Sequence, residues 1–108
     1  MADRILHIII PCYNPPAGWD LRLIDQGTEL MRRLSEVSLR FTVVEDGSAY
    51  AIDEARKRAV TTALGEVEWL AHSVNRGKGA ALRTGASGCT DGPCLFTDVD
   101  VPYTVDSM

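Results

Sequence analysis

Residues Ile5 to Pro16 read ILHIIIPCYNPP. The run Ile5–Ile10 is almost wholly apolar and rich in β-branched residues. A strand covered on one face only would alternate apolar with polar, and this one does not. It therefore predicts a strand buried on both faces, as in parallel sheets flanked by helices. His7 lies among apolar neighbours and reads as a structural histidine. Two further runs have the same character, Phe41–Val44 (FTVV) and Cys94–Thr97 (CLFT). A fourth, Val67–Ala71 (VEWLA), alternates more and is a weaker strand signal.

Helical patterns fill the gaps. Trp19 to Val37 places Leu21, Ile24, Leu30, Met31, Leu34 and Val37 near helical spacing, with Asp20 as N-cap and Gly27 as a soft spot. Ile52 to Leu64 opens on Asp53 and Glu54 and is followed by Gly65, in keeping with the helix dipole and C-cap preferences. Lys78 to Thr84 gives a third helix, introduced by Gly77 and Gly79. The order β-α-β-α-β-α-β predicts an α/β fold, a three-layer sandwich around a mainly parallel, Rossmann-like sheet with right-handed crossovers.

Composition sets outer limits. The chain has 108 residues, enough for one domain, expected to span 1–108. A net charge of −4 argues against a sequence-independent nucleic-acid binder, which needs a basic face. Cys12, Cys89 and Cys94 lack zinc-ligand spacing and read as reduced thiols of a cytoplasmic protein. The apolar run near the start is too short for a membrane helix.

In parallel α/β sheets, ligands bind beyond the carboxyl ends of the strands. Four segments follow the four strands: PCYNPP, EDGS, NRGKGAALRTG and DVD. Tyr13 offers a flat face to a base or sugar. Pro11 has no N–H and leaves carbonyls to face a ligand. Asp46 can accept hydrogen bonds from a base or ribose, or cap an Asp-Gly turn. Lys78, at a helix start, can meet phosphate charge or remain a solvated surface lysine. Asp98 and Asp100, two residues apart at a strand end, point the same way and repel unless a cation lies between them. Two such carboxylates suit Mg²⁺ or Mn²⁺ completed by diphosphate oxygens and water. As solvated loop acids they would need no metal.

Taken together, IIIPCYN, VVEDGS, NRGKGAALRTG and LFTDVDVPYT resemble the N-terminal, nucleotide-binding half of inverting family 2 glycosyltransferases of the GT-A architecture. The flavour is similar to polyprenyl-phosphate sugar transferases such as those acting on dolichol phosphate. The resemblance spans about residues 4 to 106. It implies that Pro11 and Tyr13 line the base pocket, Asp46 bonds the base, and Lys78 touches the nucleotide. Asp98 would face ribose and metal, and Asp100 would ligate the metal. The implied donor is a UDP- or GDP-linked sugar, and the implied acceptor of a full-length relative is a polyprenyl phosphate or a glycan. Two departures stand out: Pro15-Pro16 follows Asn14 where relatives often have Glu, and Glu45 precedes Asp46 where Asp or Asn is frequent.

An inverting transferase needs a general base for the acceptor hydroxyl, and in this family that acid lies beyond the D-x-D. The sequence therefore reads as truncated after that motif, with no catalytic residue of its own, an unpaired sheet edge open to self-association, and little acceptor-dependent transfer. A longer parent would bring it to the membrane surface. Other nucleotide folds fit less well. A dinucleotide fold needs G-x-G-x-x-G after the first strand, and a P-loop needs Gly-Lys followed by Ser or Thr, whereas Gly79 follows Lys78. A receiver domain clusters its acids at the first strand. A non-catalytic nucleotide-sugar-binding or interaction module remains the alternative from another class.

Overall fold

The computed structural model describes residues 4–49, 52–89 and 92–96. Along these the order is β1 (Arg4–Cys12), α1 (Trp19–Arg33), β2 (Val37–Asp46), α2 (Glu54–Leu64), β3 (Val67–His72), α3 (Lys78–Ala86) and β4 (Cys94–Phe96). The four strands form one sheet in the order β3-β2-β1-β4. Every pairing is parallel. The fold is α/β and Rossmann-like.

The chain first moves outward from β1 through β2 to β3, then returns past β1 to β4. Crossovers between parallel strands keep one hand, so a reversal of direction must put the next helix on the other face. The packing agrees. Ile8, Ile10 and Cys12 of β1 and Phe41 and Val43 of β2 share a buried cluster with Trp19, Leu23 and Leu30 of α1 and Val60 and Leu64 of α2. Ile9 and Val44, wholly buried, face the opposite way toward α3. There Gly85 comes so close that a Cβ would collide with Ile9 Cγ2. This two-sided burial is why β1 lacks alternation. β3, at the edge, keeps Val67 and Trp69 half-buried against the core and exposes Glu68 and Ala71.

Local chemistry explains the helix ends and corrects three expectations. Asp53 caps α2, its carboxylate accepting the Arg56 N–H at 2.8 Å, and Gly65 ends that helix at φ 88°. Asp20 is not the cap of α1. Gly18 fills that place at φ 81°, and Asp20 sits in the first turn with its carboxylate 3.6 Å from Arg56. α1 stops at Arg33 rather than Val37. Leu34 and Val37 continue the helical spacing, but Val37 pairs with Arg4, and the full nine-residue register with β1 draws it into β2. Gly27 proves to be a packing site: a Cβ there would lie 2.6 Å from Leu64 Cδ2, so its absence lets α2 approach α1.

Candidate functional site

The carboxyl ends of β1, β2 and β3 converge with the start of α3 on a cleft of about 430 Å³. Its lining is Pro11, Tyr13, Asp46, Asn75, Gly77, Lys78 and Ala81. Four of these, Pro11, Tyr13, Asp46 and Lys78, are the positions nominated from sequence. Asp98 and Asp100 lie outside the described residues. The cleft adjoins the point where β1 has neighbours reached in opposite chain directions, the expected ligand position in an open parallel sheet.

Two hydrogen bonds join the loops next to the cleft. The Asn14 N–H donates to Ser48 Oγ at 2.9 Å, and Asn14 Oδ1 accepts the Ala49 N–H at 2.8 Å. The loop after β1 is thus pinned to the loop after β2. Asn14 adopts φ 44°, a conformation asparagine tolerates. Beside it Tyr13 stands 53% exposed at the rim, its ring available to a planar ligand. Gly47 has φ +67°, and a Cβ on it would overlap Asn75 N and the Val74 carbonyl carbon. A side chain at 47 would push the loops after β2 and β3 apart.

Asp46 ties this arrangement together. It is 2% exposed. Its Oδ1 accepts from His72 Nδ1 at 2.7 Å and from the Arg76 N–H at 2.9 Å. Its Oδ2 accepts from the Gly77 N–H at 2.8 Å and from Asn75 Nδ2 at 3.0 Å. A carboxylate has about four acceptor positions, and all are used. Burial alone would push the Asp46 pKa up, but the hydrogen bonds from His72, Arg76 and Gly77 outweigh it and hold the carboxyl below its ordinary value. The sequence offered a base contact or an Asp-Gly turn cap for this residue. Within the chain its bonds run across to His72 and to the loop after β3.

The consequences for ligand chemistry are specific. The Arg76 and Gly77 amides are already spent on Asp46, so this loop is not an open phosphate cradle. Positive potential at the cleft comes from Lys78 and from the start of α3, whose dipole is positive at that end. Cys12, at the end of β1, is no nucleophile: burial, then Glu45, push its thiol up to about 12. Among the described residues no group of three His, Cys, Asp or Glu could hold a metal ion. Asp46 has no lone pair to offer one.

Sequence reasoning passed over Asn75, His72 and Thr84. His72 carried no recognisable partner pattern, yet its ring joins Asp46 to Thr84 Oγ1, the latter at 2.8 Å from Nε2. The signal was available in the register, which sets Asp46 opposite His72 at the ends of adjacent parallel strands. Finding it requires β3 to run one residue past Ala71.

No protein-family model matches the chain, and no curated protein does. Among solved structures it is similar to TarS residues 1–349 from S. aureus, a glycosyltransferase, with a TM-score of 0.62 and 16% sequence identity. The alignment covers 94% of this chain and 29% of that one. At that identity the likeness shows the fold alone.

Proposed function

We propose that this chain is the donor-binding part of an inverting glycosyltransferase of family 2, taking a UDP- or GDP-linked sugar. One observation carries the reading. Four residues nominated by motif, Pro11, Tyr13, Asp46 and Lys78, line a single cleft at the strand ends of a glycosyltransferase-like fold. In this reading Tyr13 supplies a stacking face for the base, and Lys78 with the start of α3 meets diphosphate charge. Asp46 holds the loop that shapes the cleft. Asp98 and Asp100 would ligate Mg²⁺ or Mn²⁺, which would offset charge on the leaving diphosphate. The acceptor in this reading is a polyprenyl phosphate or a glycan. Among the described residues no helix is long and apolar enough to cross a membrane.

The test is calorimetric titration of the purified chain with UDP and with GDP, each with Mn²⁺ and with EDTA, beside Asp100→Ala. The reading predicts that one nucleotide binds, and that EDTA and the substitution both weaken it. A folded sample that binds neither nucleotide contradicts it. Binding with no metal-dependent hydrolysis of the matching nucleotide sugar would favour a non-catalytic module.

A further inference from the structure

We propose that His72 is a positioning residue for the cleft, acting through Asp46 on the loop 75–77. Its side chain is 7% exposed, and that of Asp46 is 3% exposed. Between them they bridge three elements. Nδ1 reaches Asp46 at the end of β2, Nε2 reaches Thr84 in α3, and the ring itself ends β3. The carboxylate fixes the proton on Nδ1, because a charged acceptor at 2.7 Å requires a donor there. Nε2 then meets Thr84, whose hydroxyl can donate or accept, so either charge state of the ring keeps both bonds. The ring restricts the carboxylate to one rotation. In that rotation Oδ1 and Oδ2 capture the Arg76 and Gly77 amides, and Gly77 is the residue from which α3 and Lys78 depart. His72 is not itself a lining residue of the cleft and shapes it from behind, through Asp46.

The two ring nitrogens can be separated by substitution. An asparagine amide nitrogen is as many bonds from Cβ as Nδ1, and a glutamine amide nitrogen as many as Nε2. His72→Asn therefore keeps the bond to Asp46 and gives up Thr84, and His72→Gln does the reverse. The readouts are amide hydrogen exchange at Arg76 and Gly77, followed residue by residue by NMR, and affinity for UDP and GDP. The expected result is that His72→Asn leaves exchange and affinity near wild type. His72→Gln should speed exchange at both amides and weaken the nucleotide by about tenfold, the worth of one hydrogen bond to a charged group. Equal effects of the two variants, or protection retained in His72→Gln, would overturn the proposal. The affinity arm rests on the donor-site reading, and the exchange arm does not. Faster exchange in His72→Gln from a wild type that binds neither nucleotide would support the positioning role while removing the donor-site reading.

Discussion

Replacing Asp46 by alanine removes the acceptor of four hydrogen bonds at once. The bond from the buried His72 ring cannot be replaced by water. A hydrogen bond to a charged acceptor is worth about 1.5–3 kcal/mol. The donors of Asn75 and Arg76 lie on exposed residues and can turn to solvent, so their loss is smaller. The whole effect should then be about 3–5 kcal/mol, the range found when one member of a buried polar pair is removed. Small domains have about 5–15 kcal/mol in total. With a urea slope of about 1–3 kcal/mol/M, the unfolding midpoint should fall by more than about 1 M. Asp46→Asn keeps one acceptor oxygen and sets an amide against two donors, so it should fall in between. The pH dependence has a definite sign. Asp46 has a folded pKa below its unfolded value near 3.8, so its contribution is present above about pH 4 and lost as pH falls through the folded pKa. Glu29, lowered to about 2 by hydrogen bonds from Arg32 and Arg33, follows the same sign. It lies on the exposed surface of α1, where salt screens it. Urea titrations of wild type and Asp46→Ala at pH 7 and pH 3, in moderate salt, should therefore differ less at the lower pH. A variant within about 0.5 kcal/mol of wild type at pH 7, the usual range for inert surface changes, would refute the claim that this carboxylate organises the loop.

Three other substitutions and one labelling experiment follow from the packing. Gly85→Ala puts a methyl against the buried, β-branched Ile9 and should destabilise by about 1–2 kcal/mol net of helix propensity. Gly79→Ala, where a Cβ meets only Arg83 Nη1 at 3.4 Å, should stabilise α3 by up to about 1 kcal/mol. Thermal melts of the pair should move in opposite directions. Gly47→Ala should lower stability and increase amide exchange at Arg76 and Gly77 together, because the strained turn pushes on the loop at Asn75. A thiol reagent at neutral pH should reach Cys89 and Cys94 well before Cys12, which is wholly buried with its thiol raised to about 12. Mass spectrometry of the labelled native protein reads the order.

Much of this fold was legible because β1 and β2 are covered on both sides. ILHIII and FTVV cannot satisfy a one-sided sheet, so parallel pairing and flanking helices follow from the residues themselves. Once the strands are parallel, their C-terminal loops must gather on one edge. That is why Pro11, Tyr13, Asp46 and Lys78 could be nominated together. The α1–β2 boundary was not legible, because Leu34 and Val37 are apolar residues that suit a helical or an extended reading and pack half-buried against the core, and only the pairing of Val37 with Arg4 decides between them. The role of Asp46 was obscured for a related reason. Its partners lie 26 to 31 residues away, and their meeting depends on a register and a glycine contact that no local pattern records. Asp98 and Asp100 lie outside the described residues.

The most direct test of the donor-site account is a map of where a nucleotide touches the chain. An NMR titration of the labelled protein with UDP and with GDP, in Mg²⁺, should perturb Tyr13 and residues 75–79 first, with little change at Ile5, Ser38 and Glu66, at the amino ends of β1, β2 and β3. Perturbations confined to that opposite end, or none from a folded sample at millimolar nucleotide, would contradict it.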